Sequence, residues 1–331
     1  MNQTEWHPGK LMELSGGYWK TCALHAAVKL EIFSAIGEQS LTGEELAQKL
    51  DCSKRGLLML LNSLRAMDLL QKEGDKFNNT QASKTFLCKD SPAYMGFMIM
   101  HHHHIMQGWI KLAEGVKTGA PVRKKAIKKS DVENESFLMG MFNSAMNLAL
   151  IMVEAIDLTG RKNLLDMGGG PGTYAIHFCK KNPEMKATVF DLATTRPFAE
   201  KTIARFNMQD RVSFSPGNYL EDEVTGDFDV VWLSHVLHSE GPEGCMLMLK
   251  KAVSVLRPGG MIIIHEFILN DSMDGPLFPA LFALNMLLGT EKGQAYSESQ
   301  LRQMLEENGI KDIHRIPLQS PNDSGLIAGT I

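Results

Sequence analysis

Leu164-Leu165-Asp166-Met167 is a short apolar run that ends in Gly168-Gly169-Gly170-Pro171-Gly172. Four glycines in five residues let a strand turn sharply and present bare amides to a ligand, and the N-terminus of a following helix adds further donors. The dinucleotide fingerprint G-x-G-x-x-G fails at its third glycine, where Thr173 stands, and G-x-x-x-x-G-K-[ST] is absent. The turn therefore suits a nucleoside without being either standard phosphate cradle. Asp191, at the end of the next strand, can accept from both hydroxyls of a ribose. After the third strand, Gly217-Asn218-Tyr219 offers a polar side chain and a ring face to an adenine.

The rest of the C-terminal part repeats the strand–helix alternation that specifies a parallel sheet covered on both faces. Strands are expected at 187–192, 212–217, 229–235 and 261–267, with helices to about Lys181, near 197–207 and over roughly 243–256. Arg257-Pro258-Gly259-Gly260 reads as a turn before the 261–267 strand. Ser297 and Gln300 form a capping box for a helix that Gly309 stops. IKDIHRIPL and SGLIAGTI follow with a connection too short for a parallel crossover, so these last two strands pair antiparallel.

The N-terminal part differs. Residues 10–37 carry Leu11, Leu14, Trp19, Leu24, Val28, Ile32 and Phe33 at helical spacing. Thr42 and Glu45 make a second capping box, Ser53 is placed to cap a helix to about Met67, and Gly74-Asp75 turns a hairpin. Helix–turn–helix plus hairpin is a winged-helix arrangement. The segment 92–150 is helical, Met-rich and His-rich, broken by Gly119-Ala120-Pro121 and the basic, solvated run Arg123-Lys124-Lys125. Two domains are expected, 1–110 and 111–331, with 111–160 a helical linking segment. The charge of −4 gives neither part the basic excess of a nucleic-acid binder. The first residues lack the apolar stretch of a signal peptide, and no run reaches a membrane span. Five scattered cysteines without C-x-x-C argue against a disulfide framework and a structural zinc site. A soluble, cytoplasmic protein without nucleic-acid or membrane partners is expected.

Together, the winged-helix segment at 41–80, LLDMGGGPG, LSHVLHSEGPEGC and LRPGGMIIIHEF resemble the class I S-adenosylmethionine-dependent methyltransferases. More narrowly, the chain is similar to the plant caffeic acid and animal hydroxyindole O-methyltransferases and their bacterial relatives. The resemblance implies a Rossmann-like methyltransferase domain, mostly parallel with an antiparallel C-terminal hairpin, behind an α-helical winged-helix dimerisation domain that forms an intertwined homodimer. It implies S-adenosylmethionine as cofactor, with Gly168, Gly169 and Gly170 at the methionine part. Asp191 and Leu192 would take the ribose, and Gly217, Asn218 and Tyr219 the adenine. Ser234 stands where the plant enzymes have a cofactor-contacting Lys. Phe142 and Met146 would touch the cofactor, and Met100, His101, His104, Asn285 and Met286 the acceptor.

Methyl transfer from a sulfonium to a phenol needs the phenol's proton removed, because a group of pKa ~10 is mostly protonated at neutral pH. A histidine is suited to that step, worth about 10²–10⁴-fold. His238 follows the fourth strand and Glu266 ends the fifth, on the sheet edge where ligands bind. The resemblance makes His238 the base and Glu266 its orienting acid, with Gln294-Ala295 in place of a second one. His235 and His265 read as structural. His101 and His104, three apart on one helix face, could ligate a metal, but no acidic residue or cysteine lies near in sequence, and no metal is expected. The leading expectation is an O-methyltransferase acting on a small aromatic or polyketide-like hydroxyl. The alternatives are a same-fold hydroxylase or decarboxylase, and a DNA-binding regulator presenting only Lys54, Arg55 and Arg65.

Overall fold

The computed structural model describes residues 5–123, 131–318, 320 and 322–331. Lys124 and Lys125 of the basic run lie outside them. Two compact units are present, Met1–His104 with Glu135–Asn143, and Ile105–Asn134 with Ser144–Ile331. The division falls inside two helices, so part of the segment expected to link the domains belongs to the first unit.

The first unit holds α1 (Pro8–Gly16), α2 (Tyr18–Lys29), α3 (Ile32–Ile36), β1 (Leu41–Thr42), α4 (Gly43–Lys49), α5 (Lys54–Ala66), β2 (Leu70–Glu73), β3 (Lys76–Asn79) and α6 (Gln81–Leu87). It also contains most of α7 (Gly96–Trp109) and the middle of α9 (Asp131–Ala155); α8 (Leu112–Thr118) lies in the second unit. The apolar stretch 10–37 is three helices, with Gly17 between α1 and α2 and Glu31, in a left-handed backbone of φ 56°, between α2 and α3. Thr42 and Glu45 close their capping box in both directions. Ser53 sits at the N-cap of α5 but makes no side-chain cap bond, a correction to the expected cap. Leu46, Leu57, Leu61 and Leu64 pack with Ile32, Phe33, Ile36 and Phe77, and the hairpin β2–β3 with β1 forms the wing. Lys54 pairs with Glu44, and Arg65 with Asp68 at 3.3 Å, so two of the three basic residues of α5 have acidic partners.

The second unit is a seven-stranded sheet of β4 (Asn163–Met167), β5 (Lys186–Asp191), β6 (Val212–Pro216), β7 (Phe228–Ser234), β8 (Leu256–Phe267), β9 (Lys311–Ile316) and β10 (Ser324–Thr330) in the order β6-β5-β4-β7-β8-β10-β9. The five strands from β6 to β8 run parallel, and β10 pairs antiparallel with both β8 and β9. The antiparallel pairing of the last two strands matches the short connection between them. Helices α10 (Thr173–Lys181), α11 (Arg196–Arg205), α12 (Pro242–Ser254), α13 (Leu277–Gly289) and α14 (Glu298–Glu307) complete the unit. Two clusters of buried apolar residues sandwich the sheet, one including Val231, Leu233 and Ile264, the other Val230, Trp232 and Ile263. Strand β8 starts five residues earlier than the sequence suggests. Arg257 is held by Asp227 at 2.7 Å and Asp229 at 3.2 Å, and Gly259 at φ 74° lets the 257–260 segment continue the strand. No single helix among the described residues is long and apolar enough to cross a membrane.

Candidate active site

The glycine turn after β4 is built by contacts that side chains would prevent. Gly168, Gly170 and Gly172 have φ of 73°, 54° and 77°, and a Cβ on Gly169 would meet the Asp166 carboxyl group within 2.7 Å. The turn is pinned by Gly168 N donating to Phe190 O (2.7 Å) and Gly170 N donating to Asp191 Oδ2 (2.7 Å). Beneath it, Asp166 is buried. Its Oδ2 accepts from Ala175 N at 3.3 Å, and its Oδ1 has no partner. Burial, with Asp191 nearby, pushes the Asp166 carboxyl up to about 7.

Asp191 closes β5, but not as a bare ribose acceptor. Besides Gly170 N on Oδ2, its Oδ1 accepts from Leu192 N (2.7 Å) and Thr195 Oγ1 (3.1 Å). A carboxylate has about four acceptor positions. Accepting two further hydroxyls therefore requires one present donor, such as Gly170 N, to let go. Gly217 N donates to Asp191 O at 2.9 Å, and a Cβ there would strike the Phe190 ring. Asn218 Oδ1 accepts from Leu220 N at 3.0 Å in a local turn, which uses one of that oxygen's two acceptor positions. Tyr219 donates its hydroxyl to Glu240 Oε1 at 3.3 Å. Ser234 shares a hydrogen bond with His265 Nδ1 at 2.8 Å, which ties the hydroxyl expected at the cofactor into the sheet.

His238 lies in a 3-10 turn, Leu237–Ser239, just after β7, and Glu266 stands near the end of the adjacent β8. His238 Nδ1 and Glu266 Oε2 are 2.8 Å apart, and His238 N donates to Oε1 at 3.3 Å. Burial alone would raise Glu266, yet His238 and His235 hold it well below the usual carboxylate range. The turn is fixed from behind, since Tyr296 Oη donates to Glu240 O at 2.6 Å and Cys245 Sγ to Leu237 O at 3.2 Å. His265 is structural as expected, bonded to Ser234 and, through Nε2, to Ser324 Oγ at 3.0 Å. His235 is not mere strand packing. Its Nδ1 lies 3.6 Å from Glu266 Oε2, because a backbone at φ 54° breaks the strand's alternation. Nitrogens of His235 and His238 and an oxygen of Glu266 lie within 4.8 Å of one another, a donor set able to hold a transition metal. They are the only such group among the described residues; His101 and His104 form none.

Sequence reasoning missed the aromatic wall beside the base. Phe282 meets the His238 ring edge-on at 4.8 Å, Phe267 stacks at 6.2 Å, and Phe278 packs on Phe267 at 4.9 Å. The spacing of Phe278 and Phe282, four apart on α13, was the signal available. Further along α13, Asn285 O accepts from Arg123 Nη2 at 2.5 Å, Asn285 Oδ1 is buried without a partner, and Met286 is buried. Met146 is half-buried on α9 in this unit. Met100, His101, His104 and Phe142 belong to the first unit, where Met100 packs against the apolar core, the His101 ring lies 5.3 Å from Phe137, and Phe142 is buried.

A known O-methyltransferase domain matches residues 113–311, and an O-methyltransferase dimerisation domain matches residues 12–89. The chain belongs to the O-methyltransferase family. It is 29% identical to a 3-hydroxy-5-methyl-1-naphthoate 3-O-methyltransferase of Streptomyces sahachiroi, over 97% of this chain and 95% of that protein. It is 28% identical to acetylserotonin O-methyltransferase of Bos taurus, over 92% of each. Among solved structures, an O-methyltransferase family protein from Burkholderia thailandensis superposes with a TM-score of 0.89 at 25% identity, covering 99% of this chain and 98% of that one. Human N-acetylserotonin methyltransferase, solved with S-adenosylmethionine, gives a TM-score of 0.88 at 24% identity over 100% and 99%. The methyltransferase's glycine turn fits such a cofactor, since it brings bare backbone and the unpartnered Asp166 Oδ1 to the sheet edge that also carries Asp191.

Proposed function

We propose that this S-adenosylmethionine-dependent O-methyltransferase methylates a hydroxyl of a small aromatic or polyketide-like acceptor, with His238 as general base and Glu266 as its orienting acid. The observation that carries this reading is the 2.8 Å contact between His238 Nδ1 and a buried, ionised Glu266. That contact fixes the imidazole's tautomer with the proton on Nδ1, so the other ring nitrogen is free to accept. S-adenosylmethionine, when bound, supplies a methyl group on a positively charged sulfur, so the acceptor oxygen needs only deprotonation and alignment. His238 takes the hydroxyl proton, and Glu266 stabilises the imidazolium that results. Phe267, Phe278 and Phe282 present faces and edges that suit a planar ring beside the base. The names of the two relatives support the acceptor class, since one is a hydroxynaphthoate O-methyltransferase and the other an acetylserotonin O-methyltransferase. Gly168, Gly169, Gly170, Asp191, Leu192, Gly217, Asn218 and Tyr219 are assigned to the cofactor, and Asn285 and Met286 to the acceptor.

The protein works as a cytoplasmic homodimer in this reading. The match to a dimerisation domain supports it, as do Leu11, Met12, Leu14, Tyr18 and Trp19, all exposed on α1 and α2. The test is methyl transfer from isotopically labelled donor to a panel of phenolic acids, naphthols and polyketide phenols, read by mass spectrometry. Label in an acceptor oxygen, lost in His238→Ala with cofactor affinity kept, supports the reading. Label on nitrogen or carbon alone overturns it.

A further inference from the structure

His235 holds a nitrogen that nothing satisfies. Its Nδ1 is buried without a hydrogen-bond partner, and Glu266 Oε2, at 3.6 Å, is too far to be one. A buried polar group left unpaired calls for an explanation, and a bound ion is one of the ordinary ones. The backbone that places it is left-handed, φ 54°, a conformation that strains a residue other than glycine and is common where a ligand is clamped. The ring is nonetheless firmly seated. Its centroid lies 4.2 Å from those of both His265 and Phe267, and its amide donates to His265 O at 2.9 Å. Two penalties thus converge on holding one imidazole nitrogen beside a carboxylate that it does not bond.

What fits among these groups is a metal ion. Zinc sits about 2.0–2.2 Å from histidine nitrogens and carboxylate oxygens, so two ligands of a tetrahedral site lie roughly 3.3–3.5 Å apart. His235 Nδ1 and Glu266 Oε2 are 3.6 Å apart, and His238 Nδ1 and the same oxygen 2.8 Å. All three ligand atoms fall within 4.8 Å of one another. The carboxylate is the fixed point, since its Oε1 accepts from His238 N and its Oε2 from Phe267 N, each at 3.3 Å. Such outer bonds are what orient a metal's ligands. Small movements of the two rings, roughly half an ångström for His238, complete a three-ligand set. Two histidines and a glutamate leave a fourth position open, and imidazole favours zinc, cobalt, nickel and copper over magnesium and calcium.

We propose that His235, His238 and Glu266 form a site for a divalent ion of the zinc class, and that its occupation switches methyl transfer off. The second half rests on the reading of His238 as base. In that reading the ring carries its proton on Nδ1, toward Glu266, and accepts on the other nitrogen, Nε2. An ion on Nδ1 takes that proton's place, and the single proton of the neutral ring then sits on Nε2, where the lone pair was. The nitrogen that should receive the hydroxyl proton is already filled. The methyl transfer proposed above routes no step through a metal, so the ion is a blocker and not a cofactor. His235 is the residue that turns a histidine–carboxylate pair into a site, by supplying the third ligand.

The test adds cobalt(II) or zinc to the full chain after treatment with a chelator. Cobalt should bind as a single equivalent at micromolar concentration and show the intense visible absorption of a four-coordinate ion. The near-ultraviolet thiolate band that an exposed cysteine such as Cys22 would give should be missing. That spectrum is read on the unaltered chain, so it decides the site however well a variant folds. His235→Asn tolerates the left-handed backbone and should weaken binding roughly a hundredfold or more, since losing even a supporting contact costs about 10–100-fold. Zinc should lower kcat by about 10²-fold, the scale of losing a positioned base, and chelator should restore it. In His235→Asn, compared with that variant's own metal-free rate, inhibition should need a correspondingly higher zinc concentration. Magnesium and calcium should have no effect. Cobalt that shows the thiolate band, or that binds equally well in His235→Asn, is an adventitious ion only and overturns the proposal, as does an absence of binding. If zinc fails to bind while His238→Ala loses methyl transfer, the site alone fails. If zinc binds through His235 yet leaves the rate intact, the blocking role is overturned, and full turnover in His238→Ala would show that the base assignment fell with it.

Discussion

A methyl group on Gly168 would lie 2.4 Å from Cγ1 of Val236. Gly168 begins the glycine turn and Val236 sits two residues before His238, so a bare Cα is what lets that turn and the loop of His238 meet. Gly168→Ala adds this clash to the strain of φ 73°, and a loss of about 2 kcal/mol or more in unfolding free energy is expected. Adding Val236→Ala should recover only the packing part, because the backbone strain remains. Denaturant unfolding of the two variants checks this; full recovery would mean that the strain is negligible.

His238→Ala should lower methyl transfer by about 10²–10⁴-fold, and Glu266→Gln by less, since it disturbs orientation without removing the proton acceptor. The His238→Ala defect should shrink along a series of increasingly acidic phenols, which need less help to ionise. A defect independent of acceptor acidity would place deprotonation elsewhere.

Asp191→Asn should weaken cofactor binding roughly ten- to hundredfold by calorimetry, the scale of a lost charged hydrogen bond of about 1.5–3 kcal/mol. Part of that loss comes from the turn itself, because Asp191 also holds Gly170 N and Leu192 N. Unchanged affinity would remove Asp191 from the site.

Trp19 and Leu14 are about two-thirds exposed in the single chain. Light scattering at micromolar concentration should report a dimer, and Leu14→Glu with Trp19→Glu should shift it to monomer or aggregate. A monodisperse wild-type monomer contradicts the homodimer.

In the first unit, burial, with His103 and His102 nearby, lowers His25 to about 4. An unfolded histidine titrates near 6.5, so between those values the unfolded chain binds the extra proton. Stability is therefore complete above about pH 6.5 and lost as pH falls toward 4, on the order of 1 kcal/mol by pH 5.5. His25→Gln should flatten the fall in Tm over that window; an unchanged slope would assign acid sensitivity to other groups.

Elements set by local rules were legible in the sequence. Both capping boxes form, the glycine turn ends β4, and His238 and Glu266 share one sheet edge as their strand ends implied, while their pairing was what the family resemblance implied. What escaped was decided by competition between partners. Asn218 was placed at a ligand with no sign in the sequence of its local bond to Leu220 N, which uses one of its oxygen's two acceptor positions. Ser234 found His265, 31 residues away, a contact no periodicity announces. His235 was read as a structural residue of the strand end, but the strand stops at Ser234 and a left-handed backbone at His235 sets the ring beside Glu266. The start of β8 was masked by Pro258 and two glycines, whose usual meaning as a turn is overridden by Arg257 gripping two aspartates.

Strand β8 is interior to the sheet only because β10 lies along it, with Gly325 opposite Glu266 and Leu326 opposite His265. Without β10, the strand bearing the carboxylate would be a raw edge, and His265 would lose its bond to Ser324. As the chain emerges from the ribosome, every residue assigned to cofactor and proton is made well before the segment that walls them in. The methyltransferase is thus assembled from its far end backward: the glycine turn and His238 wait, already synthesised, for a strand almost sixty residues beyond Glu266.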